Sequence, residues 1–151
     1  MKNMVLLIDA NVILDYLVER QSQFYDAKCI LTQCHNPHVK GYVAFHSISI
    51  IWYALRKTAI KDRRRALLEI TDLLTVTGAP HEEVVNAIIN ENFSDFEDCL
   101  QEKCALNVSA DYIVTNNVKD FKTSKVPALT PIEMLKIIVE RRIGLESQEI
   151  N

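Results

Sequence analysis

The apolar positions of this chain alternate between short unbroken runs and longer runs at helical spacing. Met4–Ile8 is continuously apolar, the pattern of a strand buried on both faces. Asp9-Ala10-Asn11 follows and leads into an amphipathic stretch from Val12 to Arg20. Phe24, Ala27, Ile30 and Leu31 then recur at helical spacing as far as Cys34, and the polar break His35-Asn36-Pro37-His38 ends that helix. Gly41–Phe45 reads as a second strand. Ser47 is placed to cap a helix running towards Lys61, with Ile48, Ile51, Trp52 and Leu55 as its inward stripe. Arg63–Leu74 is a further helix, basic at its start and apolar later, and Leu74–Thr77 a short strand. Glu82–Asn90 is helical. Ser94-Asp95-Phe96-Glu97 fits a capping box, which starts the helix carrying Asp98 at Ser94. Ala110–Thr115 and Val126–Thr130 complete the strands, the last at a sheet edge because of Pro127. Pro131 suits the first position of a final helix reaching about Val139.

Strands alternating with helices predict βαβ units in an α/β fold, with a mainly parallel sheet covered on both faces. A length of 151 residues, 48% of them hydrophobic, fits a single domain over residues 1–143, followed by a polar, loose tail over 144–151. A net charge of -3 gives no global positive field, so contact with nucleic acid requires a local basic patch. No run of about 18 apolar residues suggests a membrane span, and Asp9 and Asp15 interrupt the N-terminal apolar stretch, so a cytoplasmic protein without a signal peptide is expected. Cys29, Cys34, Cys99 and Cys104 do not form a CxxC. They read as free thiols of a reducing compartment, with a zinc site involving His35 or His38 as the alternative.

In parallel sheets ligands sit outside the carboxyl ends of the strands. Asp9 follows the first strand. Asp98 lies near the start of a later helix, and Asn116, Asn117 and Asp120 follow the fourth strand. All three groups reach one cleft in such a fold. Carboxylates gathered there repel one another, and a hard divalent cation with oxygen ligands removes that cost. Each acid also has a plainer use. Asp9 is placed to be an N-cap, Asp15 to be a solvated helix residue or the outer rim of the site, Asp95 to favour a helix dipole and Asp120 to shape a turn.

Taken together, Leu7-Ile8-Asp9-Ala10-Asn11-Val12-Ile13-Leu14-Asp15 resembles the opening motif of PIN domains. Asp95-Phe96-Glu97-Asp98-Cys99-Leu100, the segment Ala110–Phe121 and the ending Leu129-Thr130-Pro131-Ile132-Glu133 are similar to the rest of that family's signature. The resemblance implies a three-layer α/β/α sandwich with about five strands and metal-dependent cleavage of single-stranded RNA. It implies Mg²⁺ or Mn²⁺ as cofactor. As in the VapC-like toxins of the family, it also implies an antitoxin partner and a homodimer. By matching positions, Asp9 is the central metal ligand and Asp98 the third acid, while Asn11 and Thr115 orient ligands or water.

Two departures thin the acidic set. The Glu usual in the helix after the second strand falls at Ile50, and the acid usual after Val114-Thr115 is Asn117. Asp120 or Asp95 is left to complete the site. His46 is placed to act on a phosphate or leaving group, or to serve as a structural residue bonded to backbone. Arg56, Lys57, Lys61, Arg63, Arg64 and Arg65 form the densest basic cluster, suited to RNA phosphates, to an acidic partner, or to a solvated helical face. The competing readings are a catalytically weak or inactive PIN fold that binds RNA or protein, and a phosphatase- or receiver-like domain. The second wants a strand-end Lys and another acid beside Asp9, where the sequence has Ala10 and Asn11.

Overall fold

The run Met4–Ile8 is β1, the central strand, and its alternation divides the core. Leu6 and Ile8 enter one apolar cluster with Ile13, Ile30, Ile51, Ile70 and Met134, while Leu7 enters the other with Ala44, Cys104, Ala105, Ile113 and Phe121. Both faces of the sheet are therefore covered, as the unbroken apolar run requires. The computed structural model describes residues 2–93 and 95–150.

Four further strands, β2 (Val39–Ala44), β3 (Thr75–Thr77), β4 (Tyr112–Val114) and β5 (Ala128–Leu129), join β1 in the order β3-β2-β1-β4-β5, all parallel. The first cluster is built by α1 (Ala10–Leu17), α2 (Gln21–Gln33), α3 (Phe45–Leu55), α4 (Arg63–Leu73) and α7 (Pro131–Ile150). The second face is covered by α6 (Phe96–Asn107), against which α5 (His81–Ile89) packs. The result is the three-layer α/β/α sandwich with its five-stranded parallel sheet. The chain winds outward from β1 to β2 and β3, then returns to β4 and β5 on the other side. The carboxyl end of β1 thus lies at the point where strand order reverses and a crevice opens. Among the described residues no helix is long and apolar enough to cross a membrane.

Several boundaries differ from those the sequence suggests. β2 stops at Ala44 and passes without a loop into α3, so Phe45 is the first helical residue and Ala44 the N-cap, with no side-chain cap. Ser47 is therefore not a cap. It lies buried inside the first turn, where its hydroxyl finds no partner. α3 ends at Leu55 rather than near Lys61, because the Thr58 hydroxyl donates to the Leu55 carbonyl at 2.8 Å and closes the helix. The capping role expected of Ser94 lies outside the described residues. Asp95 is the N-cap of α6, accepting from the Glu97 and Asp98 main-chain N–H groups at 2.7 and 3.3 Å. The last helix continues through 144–150, the stretch expected as a loose tail. Gly144 is its one weak helix former in that stretch, and Arg141 and Arg142 tie the helix to the Lys2 carbonyl and the Gln33 side chain.

Gly41 in β2 is a close-packing glycine. A Cβ there would meet Cys34 Sγ at 2.5 Å and Leu74 Cδ2 at 2.6 Å. Gly41→Ala is therefore expected to lower unfolding free energy by about 1–3 kcal/mol through overpacking. Urea denaturation with an unchanged slope would show it.

Candidate metal centre

Asp9 leaves β1 in an extended conformation and caps α1, with Oδ1 accepting from the Ala10 N–H at 2.7 Å. The cap fixes the side chain, and three other groups aim it. Gln101 Nε2 donates to Oδ1 at 2.9 Å. Thr115 Oγ1 and Asn11 Nδ2 donate to Oδ2 at 2.8 and 3.2 Å. Thr115 Oγ1 in turn accepts from the Asn117 N–H at 3.1 Å, and Asn11 Oδ1 from the Asn116 N–H at 3.2 Å. One carboxylate thus ties together β1, α1, α6 and the loop after β4. Capping and site-building are both roles of Asp9.

Asp98, in the first turn of α6, lines the same cleft with Asp95, Glu97 and Asp120. Its carboxyl is pushed up to about 7 by burial first, then by the negative charges of Asp95, Asp9, Asp120 and Glu97. The cleft therefore stores repulsion when Asp98 ionises. Among the described residues, three buried polar atoms lack hydrogen-bond partners, His46 Nε2, Ser47 Oγ and Gln101 Oε1, and all belong to residues that line this cleft. Buried polar groups are nearly always satisfied, so their concentration here marks a place prepared for ligand or water. An all-oxygen set of acids and an unpaired amide oxygen fits a hard divalent cation. Among the described residues, no three His, Cys, Asp or Glu side chains already converge to hold an ion by themselves. The fit is to an ion held by one or two carboxylates and completed by water, the usual habit of Mg²⁺.

Most of the residues singled out in the sequence meet here. Asp9, Asn11, His46, Asp95, Asp98, Asn117 and Asp120 all line the cleft, with Thr115 buried beneath it. Ile50 also faces it, so the position where the family pattern has Glu is correctly oriented and apolar. Burial pushes His46 below its ordinary pKa, opposed but not reversed by Glu97 and Asp9, so its imidazole is neutral at pH 7. It is a hydrogen-bonding group there, not a cation. Asp15 is buried rather than on the rim, holding Asn116 Nδ2 at 2.6 Å and Arg20 at 3.3 Å. Arg20 also lines the cleft, a position that sequence reasoning misses although Asp15, its partner, lies five residues earlier. It sits between Glu19 and Gln21, both at positive φ, in a strained turn that aims it. Gln101 was also missed. The i, i+3 spacing from Asp98 was the available signal.

The basic cluster stands apart. Arg56, Lys57 and Lys61 lie in the connection after α3 and Arg63–Arg65 open α4, and none lines the cleft. The cysteines are free, Cys29 exposed, Cys34 half-buried, Cys99 and Cys104 buried. Burial pushes Cys34 and Cys104 up to about 12 and about 11, which keeps them as thiols and suits packing rather than metal ligation.

A family model described as PIN domain matches residues 5–119. No curated protein sequence matches the chain. Among solved structures, the chain is similar to PAE2754 from Pyrobaculum aerophilum, at 18% identity and a TM-score of 0.64, covering 91% of this chain and 96% of that one. It is similar to VapBC2 from Rickettsia felis, bound to a DNA fragment from their promoter, at 15% identity and a TM-score of 0.63, covering 84% and 98%. It is also similar to the sarcin-ricin loop cleaving toxin VapC20 of Mycobacterium tuberculosis, at 11% identity and a TM-score of 0.59, covering 80% and 95%.

Proposed function

The chain belongs to the PIN-domain family, and on that premise we propose that it is a metal-dependent endoribonuclease acting on single-stranded RNA, the toxin of a toxin–antitoxin pair. The observation that carries this reading is the pairing of Asp9 with Asp98 at the carboxyl end of β1, in a cleft where acids crowd and buried polar atoms lack partners. Asp9 and Asp98 would hold Mg²⁺ or Mn²⁺, and Asp95 and Asp120 would add negative charge from the walls of the same cleft. The ion supplies Lewis acidity at the phosphodiester and charge compensation for the departing oxygen. Asn11, Thr115 and Gln101 hold Asp9 in one orientation. Neutral His46 offers a hydrogen bond through Nε2, and Arg20 brings positive charge to the rim for a phosphate. The partners implied are an antitoxin and a second copy of the chain. Structural neighbours that are toxin–antitoxin complexes, from Rickettsia felis and Klebsiella pneumoniae, support the first.

The test is cleavage of labelled single-stranded RNA by the purified protein with Mn²⁺ or Mg²⁺ and with EDTA, beside Asp9→Asn and Asp98→Asn variants. Metal-dependent cleavage absent from both variants is the expected result. Equal cleavage by the variants identifies a contaminant. RNA retained without cleavage favours the second reading, a binding module, which the apolar Ile50 in the cleft specifically supports. Restoring the acid separates the two. Ile50→Glu adds a carboxylate to the cleft that Asp9 and Asp98 line, and is expected to tighten Mn²⁺ binding by roughly tenfold, about 1.4 kcal/mol, as one added charge in a partly desolvated site warrants. Titration calorimetry measures it.

A further inference from the structure

The end of α3 and the start of α4 hold a second feature that the acidic cleft does not use. Residues 56–65 contain six of the chain's seventeen basic residues against one acid, Asp62, so the remainder of the chain is strongly net acidic. Among the described residues none of the six is in an ion pair. Three of them are stacked on rings instead. The Arg56 guanidinium lies 3.6 Å from the centre of the Tyr53 ring. Arg63 and Arg64 lie 3.8 and 5.4 Å from that of Trp52. Hydrogen bonds hold two of these stacks, Arg56 donating to the Tyr53 carbonyl at 2.9 Å and Arg63 to that of Trp52 at 3.0 Å. Tyr53 is 62% exposed, and beside Trp52 and Arg64 a groove runs along Leu67, Leu68 and Thr71.

A merely solvated basic face leaves long side chains free, because ordering them costs rotamer entropy. Here Arg56, Arg63 and Arg64 are ordered on the rings, and among the described residues no carboxylate pairs with them. The geometry points to a single-stranded nucleic acid as the occupant of this ridge: we propose that it is an exosite for the RNA whose scissile bond enters the acidic cleft. Two chemistries are offered at once. The unpaired guanidinium edges take phosphates, and the exposed ring and guanidinium planes extend a stack with nucleobases. An acidic peptide satisfies the first only.

α3 connects the two sites. His46 in its first turn lines the cleft, and Arg56 at its end starts the ridge, about 15 Å further along the axis. At about 3.4 Å per stacked nucleotide, that distance is roughly four or five nucleotides. Four or five steps join about five or six nucleotides, so a stacked strand that reaches both sites is longer than a tetranucleotide. The inference rests on the ribonuclease reading for the role of the strand, but its binding step needs no metal and no cleavage.

Trp52 is the chain's only tryptophan, so the ridge carries its own reporter. With EDTA present, the full chain is titrated with oligoadenylate RNA of about twelve and about four nucleotides, following Trp52 emission at several salt concentrations. The longer strand is expected to quench emission, and to bind at least tenfold more tightly than the shorter. The charge reversals Arg56→Glu with Arg64→Glu should weaken binding at least tenfold. They should flatten the salt dependence of log K by about 1.4 if each removes one phosphate contact at about 0.7 per contact. Lys122→Glu with Lys136→Glu, two exposed lysines outside the ridge, changes the net charge equally and is the control. Arg56→Lys with Arg64→Lys keeps the charge and removes the planar stack, so it should weaken binding while leaving the salt slope unchanged. It also guards against misfolding of the reversals. Absence of binding, or binding that neither pair of substitutions changes, overturns the exosite. So does a polyglutamate peptide that quenches Trp52 as tightly at equal salt, which would make the ridge a dock for an acidic protein. If the ridge binds RNA and no cleavage occurs with Mn²⁺, the catalytic reading fails and the exosite stands.

Discussion

Asp9→Asn is expected to lower RNA cleavage by about 10² to 10³-fold while leaving the protein folded. The size follows from losing the charge that anchors the ion, whose Lewis acidity is worth several kcal/mol in the transition state. The fold survives because the amide preserves most of the hydrogen bonding. Asp9 accepts from Ala10 N and Gln101 Nε2 on one oxygen and from Thr115 Oγ1 and Asn11 Nδ2 on the other. Asparagine keeps one acceptor and turns the second into a donor. Placed towards Gln101, the new amide can meet that residue's unpartnered Oε1 if the Gln101 amide turns over. Placed towards Thr115, it can donate to the hydroxyl. One or two bonds are lost, about 1–3 kcal/mol, partly offset by relief of repulsion with Asp98. Asp9→Ala removes the cap as well and should destabilise more. Circular dichroism melts beside single-turnover cleavage separate these effects. A variant that melts like the parent and cleaves like it would remove Asp9 from the chemistry. The same substitution should move the Asp98 titration down from about 7 towards the ordinary carboxylate range, since Asp9 contributes to raising it.

Features with a local cause are legible in the sequence, and features made by remote contacts are not. The continuous apolar run of β1 identified a strand buried on both faces, and Asp9 directly after it identified the cleft, because strand period and chain order are local properties. The α6 start was legible to within a residue, since Asp95 and Ser94 are both capping types and only tertiary position selects between them. What escaped detection depended on contacts remote in sequence. Gln101 reaches Asp9 from α6, and its i, i+3 spacing from Asp98 is a sign that many surface glutamines near an acid share. Arg20 is aimed by a turn with two residues at positive φ, neither of them glycine, so no composition signal announced the turn. Ser47 has the composition of an N-cap, but β2 runs directly into α3 without a connecting loop and moves the cap to Ala44. The basic cluster was visible as charge, but its stacking on Trp52 and Tyr53 required the turn between α3 and α4 to be in place.

Asp98→Asn is expected to abolish metal-dependent cleavage and, in EDTA above neutral pH, to make the protein more stable. The two effects have one cause. Burial and the charges of Asp95, Asp9, Asp120 and Glu97 push the folded pKa to about 7, against 3.8 for the free group. Between those values the folded state holds a proton that the unfolded state has released. Stability therefore falls as pH rises through this window and stays at its lower level above about 7, the opposite of a salt-bridged carboxylate. Asparagine removes the titration. Melts in EDTA should show the parent losing thermal stability from about pH 4 to pH 7 relative to Asp98→Asn and no further above that, with the variant melting higher at pH 8. Metal reverses the order. An ion bound by the ionised carboxylate must displace the proton, so log K for Mn²⁺ should rise about one unit per pH unit below 7 and level off above it. Once the ion exceeds its Kd a hundredfold, it returns about 2.7 kcal/mol to the parent and little to the variant. A variant less stable than the parent in EDTA at pH 8 would mean that Asp98 serves the fold, and the acidic cleft would lose its claim to be a site held under repulsion for a cation.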